Sequence, residues 1–208
     1  MSWYKENKIF AEESVGIDEV GRGPLAGPVV AAAVWISEKG LNALNESGIV
    51  VRDSKKMSHL QRVRALQWIN AQSKSIIKYA IAEASVEEID EVNILNAALL
   101  AMARAHESLM PSLEVKNCIA LIDGNKSPKN LNAITIVKGD DKVPAISVAS
   151  IIAKEYRDNK MRQLATQFPV YGWDTNVGYG TKQHTDAIEK FGITAHHRKS
   201  FAPIKNLL

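Results

Sequence analysis

The residues best suited to chemistry are carboxylates in unusual places. Asp18 and Glu19 are adjacent in the otherwise apolar stretch from Ser14 to Val20, and Gly21 and Gly23 follow at once. Asp123 closes the apolar run Ile119–Ile122, and Asp140 follows Lys138-Gly139. Clustered carboxylates without cysteine or a dense histidine motif suit hard cations such as Mg2+ or Mn2+, because oxygen donors match them and a divalent charge relieves acid–acid repulsion. Two such ions about 3.5–4 Å apart activate water and stabilise the leaving oxygen in an in-line attack on phosphorus, with no general-base side chain required. Each acid also has a plainer reading. Asp18-Glu19 suits a solvated turn, Asp123-Gly124 is a common hairpin dipeptide, and Asp140 or Asp141 suits the N-cap of a following helix. The case for chemistry rests on their co-occurrence at element ends.

The elements that must position these acids are legible from pattern. Ser14 to Val20 and Pro28 to Ile36 read as strands flanking the turn Gly21-Arg22-Gly23-Pro24. Ser58 opens a helical pattern, Ser75 to Ala84 is β-like, and Ser85-Val-Glu-Glu88 fits a capping box. The Ala-, Leu- and Met-rich segment from Ile94 to Met110 is a helix closed by Pro111. Short strands follow around Cys118–Ile122 and Ala133–Val137, then a long helix from about Val143 to Phe168 and a last one from about Thr181 to Phe191. Strands, then βα alternation, then helices describe an α/β chain with a mixed central sheet and a helical C-terminal part. Acids at several strand ends then meet at one sheet edge, where open α/β sheets place their sites.

At 208 residues the chain is long enough for one sizeable core and needs no second domain. Its net charge of +3 permits a polyanionic partner without demonstrating one. Cys118 is the only cysteine, which excludes an intramolecular disulfide, and its apolar setting marks a buried structural thiol. The N-terminus mixes Trp3 and Tyr4 with Lys5, Glu6 and Lys8, unlike a signal peptide, and no apolar run is long enough for a membrane span. A cytoplasmic protein is expected, with a monomer as the default. His184, His196 and His197 lack zinc spacing and are assigned to no metal.

The glycine turn superficially resembles a dinucleotide-binding loop. That motif needs a helix opening inside the loop, whereas Pro24 and Pro28 interrupt here and the Val/Ala run reads as strand. What remains is backbone able to approach a ligand closely, with Arg22 available for phosphate.

Taken together, Gly16-Ile-Asp-Glu-Val-Gly-Arg-Gly-Pro-Leu-Ala-Gly-Pro28 resembles the signature of the type 2 ribonucleases H, in particular bacterial ribonuclease HII. The likeness continues in order through Asp53-Ser54-Lys55-Lys56, Leu121-Ile-Asp-Gly124, Lys138-Gly-Asp140, Ser150-Ile-Ile-Ala-Lys154, Gly178-Tyr-Gly-Thr181 and His197-Arg-Lys-Ser-Phe201. The resemblance implies a ribonuclease H-like fold over residues 12–203, with an N-terminal segment (1–11), a helical part from about residue 170 and a tail (204–208). It implies hydrolysis of the RNA strand of RNA–DNA hybrids and incision at ribonucleotides embedded in DNA. Asp18, Glu19, Asp123 and Asp140 become the catalytic metal ligands for Mn2+ or Mg2+, with Asp140 preferred to Asp141 because it directly follows the glycine. Gly21, Arg22 and Gly23 contact the ribose 2′-hydroxyl, the group that separates RNA from DNA, and Tyr179 stacks beside the sugar at the RNA–DNA junction. Ser54, Lys55 and Arg198 complete the expected substrate contacts. The basic residues, with Lys56 and Lys182, suit a phosphate track; Lys126 and Lys129 read as surface charge. A binding module using the same surfaces is the alternative class, but a pure binder gains nothing from acids beside phosphate unless metal is present.

Overall fold

A computed structural model describes residues 2–72, 74–115 and 117–207. Five strands, β1 (Ser14–Val20), β2 (Val29–Ile36), β3 (Ile77–Ala84), β4 (Ile119–Asp123) and β5 (Ala133–Ile136), form one sheet in the order β3-β2-β1-β4-β5. β1 pairs antiparallel with β2, and β2 with β3. β1 pairs parallel with β4, and β4 with β5. The parallel half settles the Asp123-Gly124 ambiguity: β4 and β5 run the same way, so this dipeptide is not a hairpin turn.

Helices cover both faces. They are α1 (Ser2–Glu6), α2 (Glu38–Glu46), α3 (His59–Ala71), α4 (Val86–Leu109), α5 (Pro144–Gln167), α6 (Trp173–Asn176) and α7 (Lys182–Phe191). Alternation along β1 divides its side chains. Val15 and Ile17 join the cluster with Ala97, Ala101 and Ala105 of α4, while Gly16 faces α5, where a Cβ would lie 2.4 Å from the Ala145 carbonyl carbon. Small residues on α5 (Ala145, Ala149, Ala153) lie in the buried core on that side, which allows the close helix–sheet approach.

Several caps match their residue types. Ser58 and Ser85 each form a reciprocal capping box, with Gln61 and Glu88 respectively. The helix expected from Ile94 is there, but α4 is kinked just before it: Asn93 sits at φ 67°, and its Oδ1 accepts from the amides of Leu95 and Asn96. A shorter helical stretch led by Ser85 therefore precedes the expected helix. Helix α2 carries little signal in the sequence, since Gly40 and two asparagines dilute its propensity. Tertiary burial of Leu41 and Leu44, with Ser37 capping the Gly40 amide, stabilises it. The terminal segments also pack: Tyr4 and Ile204 are both buried core residues.

Gly16→Ala should lower stability by about 1–3 kcal/mol, since a new methyl overpacks rigid helix backbone. Urea denaturation with an unchanged midpoint would contradict this account of the β1–α5 contact.

Candidate active site

Strand pairing brings the acids together. The parallel register sets Ile17 opposite Ile122, so the next residues, Asp18 and Asp123, stand side by side where the β1–β4 ladder ends. A tight turn after β5, with Lys138 left-handed, leads into the one-turn helix Gly139–Asp141 and delivers Asp140. Carboxylate oxygens of Asp18, Asp123 and Asp140 lie within 4.8 Å of one another. Asp140 does not cap α5, whose cap position is Val143 without a side-chain bond. Asp141 turns away to pair with Lys56.

Each acid is held. Asp18 accepts the Glu19 amide at 2.7 Å and a hydrogen bond from Ser150 of α5. The Ser150 hydroxyl is itself hydrogen-bonded to that of Ser54 at 2.7 Å. Asp123 accepts the Gly139 amide at 2.7 Å, and Ser147 holds the Asp140 carbonyl at 2.6 Å. Glu19 stands beside this group rather than in it. Its carboxylate meets Arg22 at 3.3 Å, and with Asp123 it lines a cleft walled by Leu95, Leu99 and Met102 of α4.

The electrostatic consequence is unfavourable without a cation. Burial, then the charges of Glu19 and Asp123, push the Asp18 carboxyl well above the ordinary carboxylate range. Burial also raises Glu19, against the opposing effect of Arg22. Asp140 is pushed up to about 6 by burial and then by Asp123. A donor set made only of oxygens, with its charges unrelieved, fits a hard divalent cation.

Beside the acids, Gly21 to Gly27 forms a loop with Arg22 and Gly23 exposed. Tyr179 is 42% exposed, and its ring lies 3.4 Å from where a Cβ on Gly23 would stand.

The model of the family described as Ribonuclease HII matches residues 15–204. The chain belongs to the ribonuclease HII family. A ribonuclease HII from Pelagibacter ubique is 47% identical over 93% of this chain and 97% of its own length. The crystal structure of ribonuclease H2 from Pyrococcus horikoshii superposes with a TM-score of 0.71 at 25% identity, covering 93% of this chain and 96% of that one. Bst-RNase HIII, crystallised in complex with Mn2+, shares the fold with a TM-score of 0.72 at 17% identity, over 96% of this chain and 70% of that one. As a ribonuclease HII the chain is a ribonuclease H endonuclease acting on RNA–DNA hybrids, on a ribonuclease H-like fold. Among the described residues no helix is long and apolar enough to cross a membrane.

Two expected substrate contacts need correction. Arg198 is fully buried and lines no phosphate track. Its guanidinium donates to the carbonyls of Gly27 (2.8 and 2.9 Å), Gly21 (2.6 Å) and Arg22 (3.1 Å), holding the glycine loop from beneath. Ser54 is also buried, its hydroxyl directed to Ser150 rather than solvent. Lys55 is exposed, and its charge acts on Asp140.

Sequence reasoning misses the residues beneath the loops. Arg157 bonds three backbone carbonyls. His184 donates through Nδ1 to the Tyr179 carbonyl (2.9 Å), leaving Nε2 to accept from Trp173 (3.0 Å). The Thr194 amide occupies Nδ1 of His197, whose Nε2 then carries the proton directed at His184, 3.1 Å away. Burial holds both histidines below their ordinary pKa, His197 at about 4. No local signal marks such support, because its partners are main-chain atoms far away in sequence.

In chelator, Asp140→Asn should stabilise the protein by on the order of 1–3 kcal/mol at pH 8. The sign follows from a raised folded pKa: the ionised acid costs stability above about 6, and the cost vanishes below the ordinary 3.8. The gain should therefore disappear near pH 4; thermal denaturation showing the same gain at both pH values would contradict the assignment.

Proposed function

We propose that Asp18, Glu19, Asp123 and Asp140 hold divalent cations, Mn2+ or Mg2+, against a scissile phosphate on the RNA strand. The observation that carries this reading is the convergence of three carboxylates from three chain segments, oxygens within 4.8 Å, beside an exposed glycine loop. When bound, the cations activate the attacking water and stabilise the leaving oxygen. The chain's own residues aim the ligands. Ser150 supports Asp18, and the Gly139 amide holds one oxygen of Asp123. Arg22, with its side chain 51% exposed and paired with Glu19, is available to a substrate phosphate, and Glu19 would complete the ligand set.

Selectivity for RNA follows from the loop. Gly21, Arg22 and Gly23 present backbone groups to a 2′-hydroxyl, and the absence of a side chain at Gly23 admits the ribose beside Tyr179. Tyr179 packs on the next sugar and disfavours a ribose there, which directs incision to a ribonucleotide embedded in DNA. Lys55 holds a flanking phosphate without reading sequence. The catalytic unit spans residues 12–203, works as a monomer in the cytoplasm, and takes hybrid duplex and ribonucleotide-containing DNA as substrates.

Cleavage of a duplex carrying one ribonucleotide should require Mn2+ or Mg2+ and stop in chelator. Asp18→Asn should reduce turnover by at least about a thousandfold, comparable to removing a principal electrostatic stabiliser, while hybrid binding stays measurable by anisotropy. Undiminished cleavage by this variant would overturn the metal assignment. Tyr179→Ala should lower cutting at the single ribonucleotide more than cutting of all-RNA hybrid, with pure DNA uncut; equal loss on both substrates would remove Tyr179 from junction sensing.

A further inference from the structure

The glycine loop and the Tyr179 segment come from opposite ends of the chain, yet one side chain spans the seam between them. Arg157 of α5 is fully buried. Its Nε donates to the Pro28 carbonyl at 3.0 Å and Nη2 to that of Ala26 at 2.9 Å, at the end of the glycine loop. Its Nη1 donates to the Val177 carbonyl at 2.9 Å, two residues before Tyr179. The Leu25 amide crosses the same seam to the Gly178 carbonyl at 2.8 Å.

The local backbone needs such a hold. Val177 and Gly178 are both left-handed, at φ +43° and +89°, and a β-branched residue adopts that region only when its surroundings enforce it. The packing also has little slack. A Cβ on Gly21 would lie 2.2 Å from Arg157 Nε, and one on Gly178 would lie 2.6 Å from the Ala26 carbonyl oxygen. Among the described residues Arg157 makes no ion pair. A buried guanidinium satisfied only by carbonyls is costly as a packing element, whereas its rigid planar fork is well suited to fixing several acceptors at set separations.

We propose that Arg157 is the positioning residue that joins the glycine loop and the Tyr179 segment into one rigid reading surface, so that junction preference depends on it without contact with nucleic acid. Substrate approaches the exposed faces of Gly23 and Tyr179, and the guanidinium sets their separation from behind. This role rests on the junction-sensing reading of Tyr179.

The test compares kcat/KM for the single-ribonucleotide duplex with that for all-RNA hybrid, as a ratio, in the wild type, Arg157→Lys, Tyr179→Ala and the double variant. Lysine keeps the charge and loses the fork. Arg157→Lys should lower the ratio about tenfold, the equivalent of one charge-assisted hydrogen bond. The double variant should fall little below Tyr179→Ala alone, because the two act as a unit. Equal losses on both substrates, or effects that multiply undiminished, would make Arg157 a purely structural residue and overturn the proposal. A ratio unmoved by Tyr179→Ala defeats the junction reading itself and the proposal with it. A ratio moved by Tyr179→Ala but not by Arg157→Lys defeats the proposal alone. Should Arg157→Lys fail to fold, Gly178→Ala disturbs the seam from the other side; it should lower the ratio likewise, and a folded Gly178→Ala with the wild-type ratio would overturn the proposal.

Discussion

Mutual repulsion among carboxylates is the constraint on which the rest of the structure depends. Asp18, Asp123 and Asp140 are pressed together and largely withdrawn from water, with burial and neighbouring charge both opposing ionisation of Asp18 and Asp140. Such an arrangement persists only where the scaffold over-determines it. The parallel β1–β4 ladder supplies that determination from the sheet, and α5 supplies it from above through Ser150. The close β1–α5 approach at Gly16 is therefore part of the site, since it brings the Ser150 hydroxyl within reach of Asp18. Repulsion left unrelieved in the folded chain is binding energy available to a divalent cation.

The glycine loop beside the acids is supported by the opposite charge. Arg157 and Arg198 lie fully buried beneath the glycine loop and direct their donors at its carbonyls. Burial lowers both guanidinium pKa values, to about 10 and about 9, and both remain cations at neutral pH. With its carbonyls turned inward onto these cations, the loop can offer other backbone groups outward. The neutral His184–His197 pair, keyed by Trp173, holds the Tyr179 carbonyl in a similar way without adding charge. The acids thus act through their own carboxylates, while the arginines act through backbone.

Much of this was legible in the sequence, because the signals were local. Val/Ala enrichment beside the Gly/Pro turn marked β2, Ser58 opened a helical pattern, and Ser85 announced its helix through a capping box. Gly/Pro punctuation separated the glycine loop from a dinucleotide fold. The ordered motifs led to the ribonuclease HII family, which the family match bears out. Helix α2 escaped notice because its stability comes from burial of two leucines rather than from propensity.

The sequence by itself determined which residue types were available, where the main elements lie and what chemistry four acids and a glycine loop suit, since these follow from short-range pattern and side-chain chemistry. Only the tertiary structure decided which acids converge. It brought Asp140 rather than Asp141 to Asp18 and Asp123, set Glu19 to one side against Arg22, and turned Arg198 and Ser54 inward from the roles their exposure would have given them. Those outcomes depend on strand register, on the left-handed turn at Lys138 and on backbone carbonyls brought from distant segments, and none of these leaves a mark in the identity of the residues themselves.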